Sequence, residues 1–75
     1  MPPDFVQQII NAGGNIALEQ TYPPHLVTEW VELAVKKGVS ILVTGPYPPH
    51  FPVQWARIGG RNFTYKVPKA QSSPG

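Results

Sequence analysis

The chain has 75 residues, so it forms one domain at most. It contains no cysteine and therefore has neither a disulfide framework nor a thiolate metal site. No apolar stretch approaches the roughly 20 residues of a membrane span, and the N-terminus lacks the pattern of a signal peptide, which predicts a cytoplasmic protein. The net charge of +2 is unevenly placed, because all four acids lie in residues 1–32 and all six bases in residues 36–69. Such a division indicates an anionic partner for the second half of the chain. The alternatives are a solvated basic face or head-to-tail self-docking of opposite charges.

The first half of the chain predicts a helix, a strand and a second helix. Asp4 is a suitable N-cap for a helix at about residues 4–12, which a pair of glycines ends. Alternating apolar and polar residues predict a short strand over 15–20. Pro24 suits the first position of a helix that continues over 25–37. Apolar residues cover an arc of this second helix too wide for a surface helix, so we expect it at the centre of the fold or at a dimer contact.

The second half predicts a strand, a short helix and a last strand. Residues 39–43 are apolar on both faces, as in a buried parallel strand. Pro52 excludes the residue before it from helical conformation, so a helix of only one or two turns is expected from about that proline. Residues 62–67 alternate as a half-exposed strand does, and Lys66 would protect a sheet edge there. Residues 71–75 are predicted to be a disordered tail.

An internal repeat joins the two halves. Tyr22-Pro23-Pro24-His25 recurs 25 residues later as Tyr47-Pro48-Pro49-His50, and a tryptophan follows each histidine by five residues. Two copies of a strand–YPPH–helix unit are too few for a solenoid. The predicted fold is therefore a single α/β (or α+β) domain over residues 1–70. Its expected order is α-β-α-β-(short α)-β, with a small mixed sheet.

The repeated loops are one candidate site. If the strands are parallel, both loops follow strand carboxyl ends, where ligands bind in open α/β sheets. Tyr22, His25, Tyr47 and His50 would then share one rim near two helix N-termini, which favour anions. The alternative is that tyrosine and proline only shape two turns. Two histidines without cysteine are a poor zinc set, so neither a metal nor a cofactor is predicted.

The basic second half is the other candidate site. No nucleophile elbow, phosphate-binding loop or carboxylate pair is present, so we expect a binding module rather than an enzyme. Bases interleave with aromatic residues there, as in proteins that bind single-stranded DNA or RNA. The predicted nucleic-acid residues are Lys36, Lys37, Trp55, Arg57, Arg61, Phe63, Tyr65, Lys66 and Lys69. If the rings instead belong to the core, only salt-sensitive phosphate contacts remain.

A protein partner is the alternative function. The segment 45–52 contains P-x-x-P twice and is a possible polyproline II ligand, and the apolar helix is a possible dock for an adaptor or inhibitor. Rings exposed beside Arg57 and Arg61 would favour nucleic acid, whereas buried rings and a projecting proline loop would favour a protein. A core this small contributes only about 3–5 kcal/mol, which also favours a homodimer.

Overall fold

The computed structural model describes residues 3–69, which form three helices and three strands in the predicted order. The predicted tail at 71–75 lies outside these residues. None of the helices described is long and apolar enough to cross a membrane. The elements are α1 (Pro3–Asn11), β1 (Ile16–Leu18), α2 (Pro24–Lys37), β2 (Ile41–Thr44), α3 (His50–Gly59) and β3 (Phe63–Lys66), with a 3-10 turn at Gly60–Asn62 before β3.

The three strands form one sheet in the order β1-β2-β3. Ile16 pairs with Ile41 and Ile41 with Phe63, and both strand pairs are parallel. The sheet thus differs from the small mixed sheet that the sequence predicted. The reason is that a helix separates each strand from the next and returns the chain to the same edge before every strand.

The helices cover one face of the sheet. Ile16 and Leu18 of β1 and Ile41 and Val43 of β2 are buried, whereas the residue between each pair is more exposed. Helix α2 packs against both α1 and α3. The wide apolar arc of α2 is therefore explained by its central place, which was one of the two expected explanations.

Helix α3 is longer than the sequence predicted. It begins at His50, and Phe51 is helical although Pro52 follows it. Proline is tolerated in the first turn because the N–H groups of that turn have no partner within the helix. The Phe51 ring also stacks on Trp55, with 5.7 Å between the ring centroids, and this contact favours the helical conformation.

The structure contains a third, partial copy of the repeat. Gly13, Gly38 and Gly60 each end a helical segment with positive φ, and a strand begins three residues after each of them. The copies match over helix, glycine and strand, so the unit is helix–glycine–strand rather than strand–YPPH–helix. The third copy is three residues shorter between tryptophan and glycine than the second, which hid the shared glycine position in the sequence.

Candidate functional site

The tyrosines of the predicted rim connect one repeat copy to the next. The Tyr47 hydroxyl accepts a hydrogen bond from the Tyr22 backbone N–H (2.7 Å) and donates one to the Tyr22 carbonyl oxygen (2.9 Å). The Tyr47 backbone N–H in turn donates to the Tyr65 hydroxyl (3.2 Å). Burial, partly offset by the hydrogen bond with Tyr22, raises the pKa of Tyr47 above its usual 10.0. These contacts assign the tyrosines a structural role at the carboxyl edge of the sheet.

Each repeated tyrosine also packs against the tryptophan eight residues further along the chain. Tyr22 and Trp30 meet edge to face, with centroids 5.2 Å apart at 80°, and Tyr47 and Trp55 meet at 4.9 Å and 87°. Trp55 Nε1 donates to the Thr28 hydroxyl (2.8 Å), which links α3 to α2. Edge-to-face pairs at this separation are favourable beyond the area they bury, so the Y-P-P-H repeat is largely a packing motif.

The two histidines of the rim are exposed. His25 lies in the first turn of α2 and His50 begins α3, where its ring is 4.1 Å from that of Phe51. Within residues 3–69, no three histidine, aspartate or glutamate side chains are grouped as a metal site requires.

The opposite edge of the sheet is held by asparagines that sequence reasoning missed. Asn15 Oδ1 accepts a hydrogen bond from the Ser40 backbone N–H (2.8 Å), and Asn62 Nδ2 donates to the Val39 carbonyl oxygen (2.9 Å). Each asparagine directly precedes a strand and follows a glycine by two residues. That shared spacing is the signal that identifies them once three copies are aligned.

The aromatic residues of the predicted nucleic-acid site belong to the core. Trp55 is fully buried, and Phe63 and Tyr65 are half-buried against the core, with Phe63 6.2 Å from the Trp55 ring. Trp55 is therefore not available to stack on bases, and the rings of Phe63 and Tyr65 are available only in part.

The basic residues are exposed but divided between two edges. Lys36, Lys37, Arg57 and Arg61 lie at the C-terminal ends of α2 and α3 and in the turn after α3. We refer to these four residues as the cationic edge. Lys66 and Lys69 are also exposed but lie at and beyond the carboxyl end of β3, on the other side of the molecule.

Part of the proline-rich segment is helical. Pro49 has helical backbone angles (φ −54°, ψ −29°), and Pro52 lies inside α3. Tyr47, between the first pair of prolines, is 5% exposed. A groove that binds P-x-x-P needs an extended, accessible chain, so the helical prolines and the buried tyrosine disfavour this role.

The face of the sheet opposite the helices is a surface that the sequence did not predict. Ala17, Leu42 and Thr64 are in register across the three strands, and Thr44 and Lys66 form the next row. Leu42 and Thr44 are half-exposed and the others exposed. We refer to these five residues as the uncovered face, because no helix of the described chain packs on them.

A shallow groove of about 320 Å³ lies between α1 and α2 on the outer surface. Its lining consists of Gln7, Glu29, Glu32 and Lys36 together with Trp30 and Leu33. The charges have both signs and the groove is open, so it has neither the enclosure nor the convergent polar groups of a small-molecule site.

Comparison with protein-family models, with curated proteins and with solved structures finds no match for this chain.

Proposed function

We propose that this chain is a non-enzymatic protein-interaction module whose partner binds the uncovered face of the sheet. The observation that carries the proposal is the position of Leu42, an apolar side chain at the centre of a face that no described helix covers. Repeat proteins commonly bind partners on the exposed surface of their stacked units. The burial of the aromatic residues in the basic half supports a protein partner over one that stacks bases.

The composition of this face suits a protein surface. Small side chains, Ala17 and Thr64, flank Leu42 in the same row and leave space for a protruding apolar residue of the partner. Lys66 is charged and lies at the border of the face. An apolar centre with a polar border is the usual anatomy of a protein interface.

The size of the face sets the expected strength of binding. Three strands about 4.8 Å apart and four residues of about 3.3 Å each present roughly 200 Å². A standard interface buries about 800 Å² on each partner, so one copy of this domain is expected to bind weakly and transiently.

Site-specific photocrosslinking tests this proposal. A photoreactive amino acid at position 64 lies on the uncovered face, and the same group at position 29 lies on the exposed surface of α2 as a matched control. We expect a discrete crosslinked protein from position 64 that disappears when Leu42→Asp is added. Crosslinking of the same protein from both positions, or no dependence on Leu42, would contradict the proposal.

Binding of nucleic acid through phosphates is the second candidate function, and the cationic edge favours it. Four exposed bases at neighbouring helix ends form a positive surface without ring stacking, which fits salt-sensitive contacts that do not read sequence. The competing explanation is structural, because cations at helix C-termini also stabilise the helix dipole.

Fluorescence anisotropy with labelled single- and double-stranded DNA and RNA distinguishes these explanations. If the cationic edge binds phosphates, Arg57→Ala with Arg61→Ala makes the slope of log affinity against log salt shallower by about 0.7–0.9 for each phosphate that the variant no longer neutralises. Lys66→Ala, at the opposite edge, serves as the control with an unchanged slope. No binding at low salt would exclude this second candidate.

A further inference from the structure

The two seams between repeat copies place an aromatic residue against the preceding copy. Trp55 donates its indole hydrogen bond to Thr28 of α2, and Trp30 borders the groove that Gln7 of α1 completes. Both rings are almost entirely buried, at 0% and 3% exposure. An aromatic residue at this position of the unit is therefore what a repeat copy uses to dock on its predecessor.

Phe5 occupies the same position in the first copy, 25 residues before Trp30, but it is 47% exposed. Gln7 marks the side of α1 that faces α2. Because each residue advances about 100° round a helix, Phe5 lies about 200° from Gln7 and faces away from α2. Within residues 3–69 the main contacts of α1 are with α2 and β1, and they leave the docking residue of the first copy half-exposed.

The opposite end of the stack has exposed apolar residues of its own. Trp55 points to Thr28 of α2, and Val53, about 200° away on the same helix, faces the other side. Val53 is 50% exposed, and Val67, just beyond the edge strand β3, is 47% exposed. Three of the four large hydrophobic residues that are exposed in the described chain thus lie at the two ends, and Val35 is the fourth.

The two ends also carry opposite charges in matching register. Leu18, Val43 and Tyr65 are aligned across the sheet, so Glu19, directly after β1, is equivalent to Lys66 at the end of β3. Both side chains are exposed. A strand of the β1 type placed beside β3 in the same register would put these opposite charges next to each other.

We propose that a second copy of this chain docks head-to-tail, with its β1 beside β3 of the first copy and its α1 beside α3. The parallel sheet then continues across the junction, Phe5 contacts α3 near Val53, and Glu19 lies opposite Lys66. Because such a contact is heterologous, each docked copy leaves one end open and the assembly propagates. This assembly is larger than the homodimer that the size of the chain favoured, and among its named contact residues Lys66 also belongs to the uncovered face.

Analytical ultracentrifugation over a concentration series tests this proposal. From about 10 µM to about 1 mM, which spans weak affinities, we expect the average mass to rise from 8.2 kDa to more than twice that value. Glu19→Lys and Lys66→Glu should each stay monomeric alone, because each places like charges at the junction. Both residues are exposed, so circular dichroism should show an unchanged fold.

Mixing the two single variants gives the decisive result. In a head-to-tail contact the two variants alternate along the assembly, and every junction between unlike variants pairs opposite charges, so the average mass should rise again to the wild-type value. Phe5→Asp should lower the average mass both in the wild-type protein and in the mixture of the two charge variants. A wild-type mass that stays at one chain, a mass that stops at two chains, or single variants that associate like wild type would each overturn the proposal.

Discussion

The two Y-P-P-H copies have the same four residues but differ in what surrounds them. Tyr47 is 5% exposed and its hydroxyl binds the backbone of Tyr22 in the preceding copy. Tyr22 is only half-buried, and its hydroxyl accepts a hydrogen bond from the exposed Gln20 side chain (3.2 Å). The environment of a repeated residue is therefore set by its place in the stack and not by its local motif.

The aromatic series of the repeat shows the same rule. Phe5 and Trp30 each lie eight residues before the glycine of their copy, and Trp55 matches Trp30 in its distance from the Y-P-P-H tyrosine. The exposures of these three residues fall from 47% to 3% and 0%. Stability is therefore expected to depend strongly on the inner copies and little on the outer one.

The largest effect is expected for Trp55→Ala. Removing a fully buried ring costs about 3–5 kcal/mol, which is comparable to the whole stability expected of so small a core. We therefore expect a largely unfolded protein by far-ultraviolet circular dichroism and urea titration. Phe5→Ala, measured at low concentration, is the matched control and should change stability by no more than about 0.5 kcal/mol. Equal losses of stability at positions 5 and 55 would contradict the expectation that stability depends more on the inner copies than on the outer one.

A smaller loss is expected for Gly59→Ala, at the seam between α2 and α3. A Cβ atom at this position would lie 2.7 Å from Phe63 Cβ and 3.1 Å from Val31 Cγ1. Overpacking of this kind costs about 1–3 kcal/mol, measured as a lower urea midpoint. Gly14→Ala is the comparison and should lose less, because its Cβ atom would lie 3.0 Å from Ile9 Cγ2 and 3.3 Å from the Ile9 carbonyl oxygen, with no contact as short as that at Gly59. A neutral Gly59→Ala variant would show that the seam is looser than described.

Tyr47→Phe is expected to cost about 1 kcal/mol, since it removes two hydrogen bonds to the Tyr22 backbone in a partly buried place. Tyr22→Phe removes only the bond from Gln20 and should be nearly neutral. Thermal unfolding of the two variants compares the loss of stability from the same substitution at positions 22 and 47. A larger loss of stability for Tyr22→Phe than for Tyr47→Phe would contradict the expectation that stability depends more on the inner copies than on the outer one.

The smallest effect concerns pH. Burial raises the pKa of Tyr47 in the folded state above the value of about 10 that tyrosine has when unfolded. The folded state therefore keeps its proton longer, so this contribution is fully present below about pH 10 and is lost as the pH rises through the folded pKa. Between about pH 10 and the pKa of folded Tyr47, the unfolding midpoint of wild type should fall more steeply with pH than that of Tyr47→Phe. If the midpoints of the two proteins fell in parallel, the raised pKa of Tyr47 would be refuted.

Much of the fold followed from local patterns in the sequence. The glycine after α2, Pro24 at its start and the apolar run of β2 each have one dominant physical interpretation. The start of α3 did not follow, because Pro52 disfavours a helical neighbour locally while the stacking of Phe51 on Trp55 is a tertiary contact.

The candidate site was harder to predict because the exposure of a side chain depends on tertiary packing. The spacing of aromatic and basic residues in the second half suited both stacking with bases and packing in the core, and only the structure shows Trp55 buried. The uncovered face was missed for a related reason. Residues 39–43 are apolar apart from Ser40, which indicates a strand buried on both sides and conceals that Leu42 is half-exposed.

Residue-resolved amide hydrogen exchange tests the linkage between copies most directly. The Tyr22 N–H donates to the Tyr47 hydroxyl at 2.7 Å, so it should exchange slowly in wild type and much faster in Tyr47→Phe. The Ile16 N–H, which donates to the Ser40 carbonyl oxygen, should stay protected in both proteins and report an intact sheet. Fast exchange of the Tyr22 N–H in wild type, or exchange that Tyr47→Phe leaves unchanged, would contradict a stack in which each copy is held by the tyrosine of the next.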